Sequence, residues 1–580
     1  MEWPKDETTG KVSTTIVNKR IWKAFLAPLL RKSAVDDEFA TEIRKQLLQD
    51  TVEISQGLDE LPNSEWRKKY PFFVNSIIQI QARATPEEAL SMCQAGLDAV
   101  HSNMRFATTN EGAPSLVLSA KDSIVSQSSE QQETFYFDSL VLYGQKEEKV
   151  GDAQMHMEWK VPSSSKIPNS FRNVSGDTIK KQLQALVNYG CMEPSAASAA
   201  SEIMVQKTLE EISESLKDKV FVLLGATSEL GPVIPLAQLG ATIVAVARPG
   251  KKLEALIQEI QTTTKAELIL PVKIQKQISD SSETIGGNNQ TPGADLLHDT
   301  PQLARWIASL CPQKQLVIVP LAYLDGEANV RAVTAMDLIV EYVIQHRDGN
   351  NTSGTSATSR TALTFLISPG TPHVISEEAA KDAIQRYEFA SAPAWHSAFR
   401  FMPAFVGGFS KYCISDPLPP NNFRVYNGLS ETQGPNYALS KCMQQWRAML
   451  ANSQGHIVSA NVSPPAKTQS MVSHSQIAKW LDGLQAFPPM VAFDPCMART
   501  LMTSLLIWDL TTPRSTAQQK CPHPAMLFLE NSVHGGCWRF PYDLNSVGML
   551  SFMMGKFIFN KGLPPREIVI LEESDEQEKQ

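Results

Sequence analysis

Beginning near Lys217, seven short apolar runs alternate with segments of helical periodicity: KVFVLLG, ATIVAVA, AELILPV, QLVIVPLA, ALTFLIS, HIVSANVS and AMLFLEN. A strand covered on both faces carries apolar residues continuously rather than at every second position, and helices between such strands cover the faces. The pattern predicts an α/β domain built on a doubly wound parallel sheet, spanning 201–545. A segment from Thr371 to Gly434 is rich in aromatics and proline and too long for a plain connection, so it reads as an insertion with its own structure, such as a lid. The polar stretches SDSSETIGGNNQTPG and RDGNNTSGTSATSR read as surface loops.

Upstream, WKAFLAPLLRK and ATEIRKQLLQDTVEI show helical spacing and predict a helical N-terminal arm over 1–70. TPEEALSMCQAGLDAV opens with a Thr cap and early acids, and ETFYFDSLVLYG and AQMHMEWKV read as strands. These predict a preceding α+β region over 71–200, ending in a polar linker, PSSSKIPNSFRNVSGD, and the helical GDTIKKQLQALVNYG. The last stretch, 546–580, holds the Met-rich VGMLSFMMGKFIF, read as core packing with a dimer contact or lid as alternatives, and a solvated acidic tail, EESDEQEKQ.

A chain of 580 residues, 42% hydrophobic and 20% charged, can bury more than one core. The formal net charge of -8 and the absence of a long Lys/Arg block argue against a nucleic-acid groove. Eight cysteines without a CxxC pair signal neither a zinc site nor a disulfide framework, and no metal site is expected. No stretch is apolar for long enough to span a membrane. The chain reads as unexported and cytoplasmic, with an organelle left open by a few cations near the start.

Two motifs carry chemistry. KVFVLLG runs into GATSELGP and then a helix, the context in which glycines let a backbone approach a pyrophosphate; Gly225 and Gly231 would carry that role. The second strand closes on AVARPGKKLEAL, where Arg248, helped by Lys251 and Lys252, suits a 2′-phosphate and so favours NADPH. Further on, Tyr437 and Lys441 stand at i and i+4 of GPNYALSKCMQQW and share a helix face. A phenol titrates near 10, so proton transfer near neutrality asks for a cation close by.

In this order, GATSELG, AVARPGKKLEAL, YALSK and NVSPPAKTQSM resemble the short-chain dehydrogenase/reductase superfamily, over roughly 217–540. VIVPLAYLDGE, LTFLISPGTPH and SPPAKTQSM are similar to the β-ketoacyl reductase domain of the large fungal-type fatty acid synthases. The resemblance implies a Rossmann-type sheet and an NADPH-dependent oxidoreductase acting on a small-molecule carbonyl, a 3-oxoacyl thioester being the first substrate to consider. It implies that Gly225, Ala226, Thr227, Ser228, Leu230 and Gly231 hold the pyrophosphate, Arg248 the 2′-phosphate, and that Leu321 and Ala322 lie beside the adenosine side. Ser368 would bond the substrate carbonyl and Tyr437 donate the proton. Lys441 would bond the nicotinamide ribose and lower the tyrosine pKa, and Thr468 would touch the carboxamide.

The chain departs from the pattern at Glu229, where the turn usually has glycine, and at Pro465, where a glycine usually follows Pro464. AMDLIVEYVIQH lacks the Asn that often completes the proton relay. Ser368 and Tyr437 stand 69 positions apart, against a short spacing in the family. Either the insertion folds out and leaves Ser368 in reach, or another residue such as Ser430 takes its role. A catalytically silent protein that keeps the fold and NADPH is the alternative function, and a homo-oligomer or larger assembly is open.

Overall fold

The computed structural model describes residues 1–5, 12–33, 41–108, 116–125, 135–145, 157–158, 173–174, 178–275, 291–348, 360–388, 396, 410–411, 413–559, 565 and 568. Its centre is a seven-stranded, mostly parallel sheet. We number its strands β1 (Phe135–Tyr143), β2 (Lys219–Leu224), β3 (Thr242–Val246), β4 (Glu267–Gln275), β5 (Gln315–Pro320), β6 (Ala362–Ile367) and β7 (Val458–Val462). Across the sheet they run β7-β6-β5-β2-β3-β4-β1. From the central β2 the chain builds outward through β3 and β4, then returns to β2's other side and builds outward again through β5, β6 and β7. The strand order therefore reverses between β2 and β5, whose register pairs Leu224 with Pro320. In open α/β sheets the crevice outside the carboxyl ends of the strands at such a reversal is where ligands bind.

Six of the seven continuous apolar runs form strands of this sheet. In β2, Val220, Val222 and Leu224 face one core, and Phe221 and Leu223 face the other. All six residues of β2 are buried, so both faces of the sheet are covered.

Two features differ from the sequence reading. AMLFLEN is not a strand: Pro524–Phe528 forms a 3-10 turn, with the His523 ring accepting from the Ala525 N–H, so a Pro-led helix start outweighs the apolar run. The seventh strand is instead β1, from the stretch assigned to a separate region, and it pairs antiparallel with β4 along all nine residues. An edge strand needs only one neighbour, which a distant segment supplies as readily as a local one. AQMHMEWKV contributes only Met157 and Glu158 to the described residues, paired with Asn173 and Val174. Most of the two polar loops and the acidic tail lie outside the described residues.

The N-terminal helices α1 (Thr14–Ser33), α2 (Glu42–Glu60), α3 (Trp66–Arg83) and α4 (Pro86–Asn103) join the same core as the sheet. Thr85 and Glu88 form the capping box that opens α4. Of these, α1, α3 and α4 pack on α6 (Pro435–Ser453), α4 also meets α5 (Glu327–Val343), and α2 lies against α1 and α3; α5 and α6 cover one sheet face. Trp446 of α6 stacks on Phe25 of α1, with centroids 4.7 Å apart, and meets Trp22 edge-on at 5.3 Å. Arg447 forks onto Asp337 of α5 (Nε to Oδ1 2.7 Å, Nη2 to Oδ2 2.9 Å), and His101 of α4 adds a 2.8 Å contact to Oδ2. Asp337 thus stands in AMDLIVEYVIQH as an anchor for helix packing. Its carboxyl is held far below its ordinary range by the guanidinium and imidazole, which outweigh burial. Among the described residues no helix is long and apolar enough to cross a membrane.

Trp446→Ala should cost roughly 3–5 kcal/mol, the scale for truncating a buried aromatic, and denaturant titration checks it. A loss below about 1 kcal/mol would mean that the N-terminal helices do not brace α6.

Candidate active site

Ser368 follows the last residue of β6, and Tyr437 lies in the first turn of α6. That turn is set by Gly434, at φ +86°, and by Pro435 at the first helical position, which needs no N–H partner. The chain leaves β6, runs through the 371–434 segment and returns so that Ser368 Oγ and Tyr437 OH lie 2.6 Å apart. The Gly370 N–H donates to Ser368 Oγ at 3.1 Å, which fixes that hydroxyl. Ser430 does not take its place: its Oγ pairs with Thr432 Oγ1, and its carbonyl accepts from Tyr70.

The described part of the insertion explains how the distance closes. His373–Ile375 and Arg424–Tyr426 pair antiparallel, so the segment leaves and returns through one two-stranded stem, and helix Glu377–Glu388 lies beyond the first of them. The aromatics expected to wall a substrate, Trp395, Phe399, Phe401, Phe405 and Phe409, lie outside the described residues.

Burial raises the Tyr437 phenol above its ordinary 10, and the bond to Ser368 only partly opposes this. The expected lowering by Lys441 is therefore not what the geometry produces. Lys441 Nζ is 5.9 Å from the Tyr437 ring centroid and 5.8 Å from that of Tyr323. A phenol held above 10 stays protonated near neutrality, the state a proton donor requires. Lys441 is the less comfortable partner. Its ammonium has three protons to share and, among the described residues, makes one long hydrogen bond, 3.4 Å to Gln444 Oε1. Burial brings it from 10.5 down to about 8.

At the crevice, Gly225 has φ +100°, and a Cβ there would stand 2.5 Å from the Ala322 nitrogen. Leu321 and Ala322 both donate their N–H to the Leu224 carbonyl at 2.8 Å, so the end of β5 lies against the glycine turn. The Gly225 and Ala226 N–H groups go to Val246, and those of Ser228 and Gly231 go to turn carbonyls. Among the described residues, the main-chain N–H groups of Thr227 and Leu230 find no acceptor. These free donors suit a pyrophosphate, whereas the helix behind them, Val233–Gln238, is short and carries Pro235 in its first turn. Arg248 is exposed beyond the end of β3 and makes no ion pair among the described residues. The unbonded N–H groups of Thr227 and Leu230 and the exposed Arg248 are compatible with a phosphate-bearing ligand.

Glu229 supplies a contact that sequence reasoning did not foresee. Its Oε2 accepts from the Gln469 N–H at 2.6 Å, and its carbonyl accepts from Arg499 at 3.3 Å. The carboxylate thereby ties the glycine turn to the loop of Thr468, whose own hydroxyl pairs with Ser470 Oγ at 3.1 Å. The acid at the turn is engaged rather than aimed at a phosphate.

Other supports were also missed. Asn329 links the Leu324 N–H (3.1 Å) to Ser440 Oγ (2.7 Å), which donates to the Tyr437 carbonyl at 2.8 Å. Its place just after PLAYLDGE could have marked it. Tyr70 of α3 accepts from the Gly434 N–H at 3.1 Å, and no local sequence signal links it to the site. His101, Asp337 and Glu341 are near enough to hold a cation, but Arg447 already bonds both carboxylates, Glu341 at 2.7 Å.

Compared with protein families, curated proteins and solved structures, the chain finds no significant match.

Because Lys441 binds its proton more weakly folded than unfolded, the unfolded chain holds the extra proton between about pH 8 and 10.5. Stability should rise with pH across that window, and near neutrality the charged amine costs roughly 3 kcal/mol. Lys441→Met should therefore raise the unfolding free energy at pH 7 and raise it less at pH 10. A loss of stability at pH 7 would show that the amine is there for structure.

Proposed function

We propose that the chain is an NADPH-dependent carbonyl reductase of the short-chain dehydrogenase/reductase type, with a Rossmann-type sheet. The observation that carries this reading is the 2.6 Å bond between Ser368 Oγ and Tyr437 OH, formed at the carboxyl end of β6 beside the crevice where the strand order reverses. The order of the six parallel strands, 3-2-1-4-5-6 in chain numbering, is that of dinucleotide-binding sheets. The free N–H groups of Thr227 and Leu230 and the under-bonded Lys441 support it.

When bound, the dinucleotide supplies a hydride to the carbonyl carbon. The chain's own groups do the rest. Ser368 donates to the carbonyl oxygen and orients it. Tyr437, protonated because burial holds its phenol high, gives its proton to that oxygen as negative charge develops there. Lys441 would hold ribose hydroxyls, and the ammonium would gain acceptors it otherwise lacks. Thr227 and Leu230 would hold the pyrophosphate, and Arg248 the 2′-phosphate. A 3-oxoacyl thioester is the substrate to test first.

Tyr437→Phe removes one hydroxyl and leaves the glycine turn untouched. It should keep NADPH binding, followed by fluorescence, while lowering ketone reduction by on the order of a hundredfold or more. Full reduction by this variant would reject the assignment. Tight NADPH binding by the unmodified chain without reduction of any ketone or acyl thioester would point to a silent binding protein. Arg248→Asp should weaken NADPH and spare or improve NADH; equal affinity of the unmodified chain for both would contradict the role of Arg248.

A further inference from the structure

Beside Ser368 and Tyr437 stands one more hydrogen-bond donor than protonating a single carbonyl oxygen uses. Gln433 precedes Tyr437 by four residues, in the turn that leads into α6. Its main-chain N–H donates to the Ser430 carbonyl at 3.0 Å, and its side-chain Oε1 accepts from the Ser430 N–H at 3.0 Å. The two bonds close the turn on itself and hold the side chain. They also fix which way the amide faces: a main-chain N–H can only donate, so the amide oxygen lies toward Ser430 and the nitrogen away from it.

The nitrogen comes beside Ser368. A Cβ at Gly370 would run into Gln433 Nε2 and stand 3.3 Å from Ser368 Oγ, so the amide nitrogen and the serine hydroxyl flank the same glycine. That stretch of chain is held from two sides. A Cβ at Gly428 would collide with the Pro369 carbonyl oxygen and stand 3.0 Å from Gly370 Cα. Thr371 Oγ1 donates to the Ser368 carbonyl at 2.9 Å and accepts from Gln445 Nε2 of α6 at 3.0 Å. Gln433 is only half-buried, and among the described residues its Nε2 finds no acceptor.

We propose that Gln433 Nε2 donates to a second acceptor on the substrate, so that the site selects compounds carrying another carbonyl oxygen close to the one reduced, as in a 3-oxo ester or thioester. A carbonyl oxygen has two lone pairs, and Ser368 and Tyr437 fill both at the oxygen being reduced. The amide proton is left for a different atom. A simple ketone offers none and leaves the donor unpaired, which weakens transition-state binding. Resting on the reductase reading, this role makes Gln433 a specificity residue and leaves the proton transfer to Tyr437. A brace for the turn would need Oε1 alone.

The test measures kcat/KM with NADPH for ethyl 3-oxobutanoate and for 2-heptanone, which has the same chain length without the ester carbonyl, in the unmodified full chain and in Gln433→Glu. The variant keeps an oxygen for the Ser430 N–H and removes the donor. It should lower the ester-to-ketone ratio of kcat/KM by about tenfold, with NADPH affinity and melting temperature nearly unchanged. A charge felt by Tyr437 changes both substrates alike, so the ratio reads the second contact. An unchanged ratio, or a loss of NADPH affinity in the variant, would overturn the role of Gln433 and leave the reductase reading standing. An unmodified chain that reduces no ketone and no 3-oxo ester would overturn both.

Discussion

Two hydroxyls 69 residues apart, on Ser368 and Tyr437, meet at 2.6 Å, and much of the molecule is arranged so that they can. One is fixed at the end of a buried strand. The other rides on α6, so its position depends on how α6 is held. Arg447 and Asp337 tie α6 to α5, Trp446 packs into α1, and Tyr70 of α3 bonds the turn at Gly434. A buried guanidinium and carboxylate are expensive to desolvate, and their bidentate geometry offsets that only while the helices keep their places. The pair therefore makes α6 intolerant of sliding, which a 2.6 Å contact in its first turn requires.

The two polar groups facing the crevice are pushed in opposite senses by the same burial. It raises the Tyr437 phenol and keeps its proton on; it lowers the Lys441 ammonium toward neutrality. A structural role for Lys441 would be better served by an apolar side chain of similar length. Stability given up at such a position is what a site that receives a polar ligand would show.

Much of the sheet was legible because a strand buried on both faces writes itself as an unbroken apolar run; KVFVLLG and QLVIVPLA show this. AMLFLEN misled for the same reason, since a short buried helical turn after Pro524 writes the same run. β1 was recognisable as a strand, but not as the edge of this sheet, because its partner lies more than a hundred residues away. At the site, spacing within one element was readable: Tyr437 and Lys441 share the first turns of α6. The approach of Ser368 was not, since it depends on the stem at 373–375 and 424–426. Glu229 read as a departure from the glycine usual at the turn, and only the fold shows that its carboxylate accepts from the Gln469 N–H. The bracing by Tyr70, Trp22 and Phe25 was hidden because it joins residues hundreds of positions apart.

The claim that these two hydroxyls serve hydride transfer is tested most directly by following the hydride itself. The unmodified chain would be incubated with NADPH deuterated at nicotinamide C4, on the face it transfers from, together with a panel of ketones and 3-oxoacyl thioesters, and the products weighed by mass spectrometry. The account predicts an alcohol carrying one deuterium at the former carbonyl carbon. NADPH bound at the crevice with no deuterium in any product, on either face of the ring, would contradict it.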